Sequence, residues 1–343
     1  LSEPPPGAGL VSVVVPAYNA GRTLDETLCS VRGQTHTELE IIVVDDGATD
    51  DTAAVAQRHA DADPRVRVIR QKNAGVAAAR NTGWRAARGD IVALIDSDDL
   101  WAPEKIERQL RALEQGGPDT GFVYCFFVRI DAQGIMSEKG NPEPYAGDVL
   151  DQILEDNFVG NGSSMLVRRD IIARCDGFDE SLHAAGAQGC DDYLFCCRAA
   201  EICRFAVVPD FLVGYRDMPG SVSASVRKML RSWILSADQM LARRPDKRGN
   251  ILTGVRRYAE WLTGNAVYCR RWRQLREILA LMARYHPRIA LQITTSYLPH
   301  LLITMARSKK HRWMLKRRGE LVTKQVRRER FQIGEVRLME ATE

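Results

Sequence analysis

From residue 10 onward the chain alternates between short, wholly apolar runs and stretches in which apolar residues recur every three or four positions. The runs at 11–15, 41–44, 66–69 and 91–95 predict strands, and the stretches at 23–32, 51–60, 75–87 and 104–114 predict helices between them. Strict strand–helix alternation predicts a mostly parallel sheet flanked by helices, an α/β sandwich. Runs such as IIVV and IVALI are apolar at every position rather than at every second one, as expected of strands covered on both faces. The second half of this unit is mixed. Residues 121–130, 163–167 and 205–208 read as strands, the last closing before Pro209, and 192–201 reads as a helix. The Pro- and Gly-rich stretch 134–149 reads as a loop that covers a site. The expected organisation is an extended leader over 1–9 carrying Pro4, Pro5 and Pro6, an α/β domain over 10–225 with halves at 10–115 and 116–225, and a helical region over 226–343.

Charge sharpens that division. Residues 226–343 hold 27 Lys and Arg against 9 Asp and Glu, whereas the residues before them hold 21 against 35. An acidic domain that handles a phosphorylated ligand needs cations, and a basic appendage favours an anionic partner such as a membrane surface. Trp233, Trp261, Trp272 and Trp313 lie among the Arg residues of that appendage, so peripheral docking at the inner face of a membrane is the expectation, with a homodimer through the same helices as the alternative. The longest uncharged run, 289–306, contains Gln292, three Thr, Ser296, Pro299 and His300 and is too polar to read as a membrane span, though it could lie on a membrane without crossing it. No signal-peptide pattern opens the sequence, and its eight cysteines form no CxxC pair, so buried free thiols in a reducing, cytoplasmic setting are expected.

Unusual residues stand at the predicted carboxyl ends of the strands, where open α/β sheets bind ligands. The first strand ends in Pro16-Ala17-Tyr18-Asn19, the second in Asp45-Asp46-Gly47 and the fourth in Asp96-Ser97-Asp98-Asp99. One Asp would cap the next helix, a role that suits Asp50. Five at two strand ends repel one another unless a cation neutralises them or some protonate. Mg²⁺ or Mn²⁺, each taking one or two carboxylates together with phosphate oxygens, is the simpler solution. PAYNAGRT lacks the GxGxxG of a dinucleotide site, and no GxxxxGK[ST] phosphate loop occurs. The basic helices carry no base-reading motif or stacking platform, so no nucleic-acid partner is expected.

The segments VSVVVPAYNAGRTLDETLCSVRGQT (11–35), EIIVVDDGATD (40–50), NAGVAAARNTGW (73–84) and GDIVALIDSDDLWAP (89–103) together resemble the family 2 glycosyltransferases of the GT-A fold. The resemblance continues more thinly through 162–170, 190–201 and 212–223. It implies a nucleotide-diphosphate sugar donor, with a family preference for UDP. Pro16, Ala17 and Tyr18 would line the base pocket and Asp46, beside Asp45, would accept a base N–H. Asp98 would reach the ribose or sugar, and Asp99 together with Asp98 would hold the metal, Mn²⁺ or Mg²⁺. Ala48 stands where the family's DDGS motif has Ser. Asn73 and Gly75 would shape the turn into the third helix. Arg80 either donates to the diphosphate or forms a buried ion pair.

Sugar transfer also needs a base for the acceptor hydroxyl. CDDYLFCCRAAE resembles the family's Glu-Asp-aromatic run, which implies Asp192 as that base, Asp191 in the place of the Glu, and Tyr193 as a stacking surface for the acceptor. Asn161, Gly162, Tyr215, Arg216, Ser221 and Ser223 match acceptor-side positions, with a structural turn at Pro219-Gly220 as the alternative. The QxxRW motif of processive synthases is absent, Tyr268 standing where its Gln would be. The reading is a nonprocessive, inverting transfer of one sugar to a hydroxyl of a saccharide, lipid-linked or small acceptor. A binding protein that kept the fold and lost the chemistry is the alternative. A nucleotidyltransferase would show a glycine-rich signature after the first strand.

Overall fold

A computed structural model describes residues 9–136, 143–218, 225–317 and 329–333, with the side chains of the last helix described as far as Arg307. Pro4, Pro5, Pro6, Ser221, Ser223 and the middle of the 134–149 loop lie outside the described residues. The strands are β1 (Val11–Ala17), β2 (Leu39–Asp45), β3 (Val66–Arg70), β4 (Ile91–Leu94), β5 (Leu100–Trp101), β6 (Thr120–Ile130), β7 (Met165–Arg168) and β8 (Arg204–Arg216). They form one sheet in the order β3-β2-β1-β4-β7-β6-β8-β5.

The first half is parallel as the alternation predicts, β1 pairing with β2 and β4, and β2 with β3. Strand β7 then runs antiparallel to both β4 and β6. This reversal places the residues just before β7, Asn161–Ser164, at the carboxyl end of β4, where the acidic turn leaves. Strand β8 does not stop at Pro209. Its register against β6 steps from Cys125↔Val208 to Phe126↔Phe211, so Pro209 and Asp210 fall in an irregularity where a missing N–H costs no ladder bond.

The continuous apolar runs are explained by a core on each face. Val13, Val15, Ile41 and Val43 face one core, with Leu24 and Leu28 of α1 (Leu24–Arg32), Val55 of α2 (Thr52–Ala62) and Ile106 of α4 (Lys105–Gln115). Val14, Ile42 and Val44 face the other, beneath α3 (Val76–Ala86) and α8 (Asp191–Ala200). Three short helices, α5 (Leu150–Glu155), α6 (Arg169–Arg174) and α7 (Ser181–Ala184), complete the second half.

Beyond residue 225 the chain is helical, through α9 (Val226–Arg243), α10 (Arg248–Tyr268), α11 (Trp272–Tyr285), α12 (Pro287–Gln292), a π turn at Ile293–Tyr297 and α13 (Leu298–Arg317). These helices share the second core. Trp233, Ile234, Ile251, Val255, Ile278, Met282 and Ile293 pack in one cluster with Phe122, Phe195 and Phe205 of the α/β unit.

Candidate active site

The turn after β4 is clamped from two sides. Thr23 and Thr27 Oγ1 donate to the carbonyls of Ser97 and Asp99, each at 2.9 Å, and Arg216 Nε donates to the Asp98 carbonyl at 2.7 Å. These bonds fix three consecutive carbonyls and leave the side chains to divide. The Asp99 carboxylate is wholly buried, accepting from Ser163 Oγ at 2.5 Å and from Arg216 N at 2.9 Å. Burial, with the charges of Asp98 and Asp96, raises its pKa well above the carboxylate range. Asp98 is only half-buried, and no side chain among the described residues hydrogen-bonds its carboxylate. Burial and the neighbouring charge of Asp96 push Asp98 up to about 6.

Asp99, expected as a metal ligand, is enclosed, each oxygen accepting one hydrogen bond and neither reaching solvent, so it supports the turn from within. The donor set that suits a divalent cation is Asp98 with the free Oδ2 of Asp96, whose Oδ1 is paired to Arg80. Hard oxygen donors bearing more negative charge than their protein partners offset fit Mg²⁺ or Mn²⁺. A second cluster, Asp25, Cys29 and His59, brings three ligand atoms together but does not suit a metal. Arg32 Nη1 only donates, so His59 Nδ1 at 3.1 Å accepts and Nε2 carries the proton toward Asp25.

Arg80 joins this turn to the start of α8. Its Nη2 pairs with Asp96 at 2.7 Å and its Nη1 with Asp191 at 2.5 Å, and the guanidinium lies 5.5 Å from the centre of the Phe178 ring. The side chain is 3% exposed, and Asp96, Asp191 and Asp192 overcome the cost of burying its charge, raising its pKa. Of the two readings left open for Arg80, the structure takes the buried ion pair. Gly162 allows the approach, since a Cβ there would stand 2.7 Å from Arg80 Nη2.

On the nucleotide side, Pro16 and Ala17 are buried at the end of β1 while the Tyr18 ring is 52% exposed, an aromatic that packing does not explain. Asp46 is spent on shape. Its Oδ1 accepts from Gln71 Nε2 at 2.8 Å and Ala74 N at 2.9 Å, and its Oδ2 from Gly75 N at 2.9 Å. This leaves one acceptor position of about four for a base. Asp45 accepts from Ala48 N at 2.9 Å through Oδ1, and its Oδ2 faces Arg70 at 3.8 Å. Asn73 lies in the same turn, and its backbone N would stand 2.8 Å from a Cβ on Gly47. Gly75 holds φ at 93°, and a Cβ there would strike the His183 ring.

The acceptor side requires the most correction. Asp191 is 5% exposed and spent on Arg80. Tyr193 is 3% exposed and stacked on Trp233 at 3.9 Å, with Trp233 stacked in turn on Tyr258 at 4.1 Å, so its ring belongs to the core and not to an acceptor. Arg216 is buried, donating from Nη2 to Glu26 at 2.7 Å and from Nη1 to the Ala132 carbonyl at 2.9 Å. Asn161 is buried with its Oδ1 on Ser164 N at 3.0 Å, although its Nδ2 is a buried donor with no partner among the described residues. Tyr215 stays half-buried, edge-on to Phe127 at 5.8 Å.

Asp192 stands apart. It is half-buried, accepts only from Tyr193 N at 2.7 Å among the described residues, and is pushed up to about 7 by burial and the charge of Asp191 against the pull of Arg80. Sequence reasoning missed Ser163, whose Oγ donates to Asp99 and accepts from Asp96 N at 3.0 Å, and Tyr258, whose buried hydroxyl has no partner among the described residues and feels the charge of Asp192. Only a Ser in a predicted strand and a Tyr in a basic helix were visible, and neither carries a motif. All eight cysteines are unpaired, as expected.

The glycosyl transferase family 2 model matches residues 12–175, which contain β1 through β7 and the whole acidic turn. Residues 12–175 therefore form a glycosyl transferase family 2 domain. Similar curated proteins include the uncharacterized glycosyltransferase EpsJ of Bacillus subtilis, 31% identical over 222 residues, which are 62% of this chain and 63% of that protein. The chondroitin synthase of Escherichia coli is 44% identical over 133 residues, 38% of this chain and 19% of that one. The chain spans less than two thirds of the length of either. Among solved structures, TarS 1–349 of S. aureus in complex with UDP-GlcNAc superposes with a TM-score of 0.60 at 19% identity, covering 81% of this chain and 82% of that one. Mannosyltransferase PcManGT of Pyrobaculum calidifontis, in complex with GDP-Man and Mn²⁺, gives 0.54 at 22% identity, covering 84% and 79%. These likenesses establish the GT-A fold.

Proposed function

We propose that this chain transfers one sugar, with inversion, from a nucleoside-diphosphate sugar to an acceptor hydroxyl, with Asp192 as the general base. The observation that carries the reading is the Arg80 bridge. One guanidinium pairs Asp96 of the donor turn with Asp191, the neighbour of Asp192, and so holds a candidate donor site and a candidate base together. A carboxyl that titrates near 7 matches the requirement for a base at neutral pH.

On the donor side, Tyr18 stacks on the base and Asp45, with the remaining capacity of Asp46, accepts from it. Asp98 and Asp96 would hold Mg²⁺ or Mn²⁺, which when bound stabilises the departing nucleoside diphosphate as a Lewis acid. Asp192 takes the acceptor hydroxyl proton as the oxygen attacks the anomeric carbon, and the bond to the diphosphate breaks on the opposite face. TarS bound to UDP-GlcNAc and the chondroitin synthase relative favour a UDP-linked donor and a saccharide acceptor. The lack of a QxxRW motif favours a single addition.

A thermal-shift screen of UDP- and GDP-sugars with and without Mn²⁺ tests the donor, followed by a transfer assay with oligosaccharide acceptors. A metal-dependent rise in melting temperature with one donor class is expected. No response to any nucleotide sugar with either metal would sink the proposal.

A further inference from the structure

One helical stretch among the described residues, Pro287–Arg307, is long and apolar enough to cross a membrane, and only 11% of its apolar window is buried in the protein. Its residues divide by face. Ile289, Ala290 and Ile293 are buried against the core and anchor the stretch. Gln292, Ser296 and His300, spaced four apart, line a cleft of about 650 Å³ with Tyr297 and with Arg256 and Glu260 of α10. Three of the polar residues that argued against a membrane span in the sequence, Gln292, Ser296 and His300, thus face the protein's own cleft. Outward lie Leu291, Pro299, Leu302, Ile303 and Ala306, with Leu291 at 62%, Leu302 at 47% and Ile303 at 51% exposure, together with Thr304 and with Thr294 and Thr295, whose hydroxyls donate to the Leu291 carbonyl at 3.0 and 2.7 Å.

The charges around this stretch say what covers it. Between residues 278 and 319 there are nine Lys and Arg and no Asp or Glu, with Arg284 and Arg288 before the apolar run and Arg307, Lys309, Lys310, Arg312, Lys316, Arg317 and Arg318 after it. A second copy of the same stretch would bring two segments that each carry nine cations and no anion together, so self-association here is opposed by charge. An anionic bilayer matches both features, taking apolar side chains below its headgroups and cations at them.

We propose that residues 291–317 dock the protein on an anionic membrane, with the uncharged part in the outer region of one leaflet and the basic part of α13 at the headgroups. The stretch does not span. Beyond the anchor at Ile293 run thirteen uncharged residues, at most roughly 20 Å of helix at 1.5 Å per residue, against a hydrocarbon core of about 30 Å. Apolar and basic parts follow one another along the axis, so the helix enters obliquely.

The test is flotation of the full chain with phosphatidylcholine vesicles with and without phosphatidylglycerol, at low and high salt. The protein is expected to partition about tenfold or more in favour of anionic vesicles, and salt is expected to weaken it. Two variants separate the contributions: Leu302→Glu/Ile303→Glu, and Arg288→Glu/Arg307→Glu, all four residues being exposed. Each should lose vesicle binding while keeping the wild-type melting temperature and donor response. Equal binding to neutral and anionic vesicles would overturn the proposal. So would an oligomer in light scattering that Leu302→Glu/Ile303→Glu disperses without vesicle binding, or oligonucleotide binding that this variant retains in place of vesicle binding.

Discussion

Two acidic pairs face each other across Arg80, Asp98-Asp99 after β4 and Asp191-Asp192 at the start of α8, and each divides in the same way. One member is buried with its oxygens engaged, Asp99 by Ser163 and Arg216 N, Asp191 by Arg80. The other, Asp98 or Asp192, is half-buried, less partnered and titrates higher than an ordinary carboxylate. The pairs differ in what holds the buried member. Asp99 is held by neutral donors only, so burial raises its pKa and the turn presents Asp98 and the second oxygen of Asp96 to a cation. Asp191 is held by a guanidinium that also pairs with Asp96, so its neighbour Asp192 is left to exchange a proton. Adjacent carboxylates acquire different chemistry from their partners rather than from their position in a motif.

The sharpest break of the comparison is Asp192→Asn. If Asp192 is the base, transfer falls by roughly 10²–10⁴-fold while nucleotide-sugar affinity, measured by calorimetry, stays within a few fold. A matching loss of donor affinity would merge the two pairs into one donor site. The wild-type pH profile sharpens the same point. The base works unprotonated and titrates near 7, so kcat/KM should rise about tenfold per pH unit below that value and level off above it. A profile flat from pH 5.5 to 8 in stopped assays would remove Asp192 from the proton transfer.

Arg80→Met tests whether the bridge is shared. It leaves Asp96 and the buried Asp191 without their common partner, and removal of one side of a buried ion pair costs about 3–5 kcal/mol. Denaturant unfolding should show that loss, and the double variant Arg80→Met/Asp191→Asn should recover part of it. No recovery would mean that the two carboxylates do not lean on the same guanidinium.

Within the donor turn, Asp98→Asn should weaken Mn²⁺-dependent nucleotide-sugar binding by about 10–100-fold with little change in melting temperature, as expected for loss of a metal ligand's oxygen. Asp99→Asn should do the reverse, lowering the melting temperature with a smaller effect on metal dependence. If Asp99→Asn instead abolishes the metal response in a stably folded protein, the enclosed carboxylate is a ligand after all.

Much of this was legible because local sequence dictates it. The parallel half follows from apolar runs that alternate with helical spacing, and the acidic clusters stand out at strand ends. The division of labour within each cluster was not legible. It depends on Ser163 and Arg216, 64 and 117 positions from Asp99, brought together by the reversal at β7 and by the long run of β8 through Pro209. The helices after residue 225 read as a separate basic appendage because Arg and Trp dominate their exposed faces. Their buried faces are apolar at wide spacing, and they complete the core beneath α8.

The smallest effect separates a core residue from a binding one. Tyr193 follows the candidate base directly, and an aromatic in that place reads naturally as a platform for a sugar ring. Its ring instead lies between the core and Trp233, and its hydroxyl meets the Leu154 carbonyl at 3.4 Å and the Cys197 thiol. Tyr193→Phe keeps the stack and loses these weak hydrogen bonds, so stability should fall by no more than about 0.5–1.5 kcal/mol and the acceptor KM should not move. Trp233→Leu, 40 positions away and with no motif of its own, should disturb Tyr193 more than that, because it removes the surface the ring rests on. An acceptor KM that rises in Tyr193→Phe at unchanged stability would return this tyrosine to the cleft. The start of α8 would then present two adjacent functional side chains, and the symmetry between the two acidic pairs would no longer describe the site.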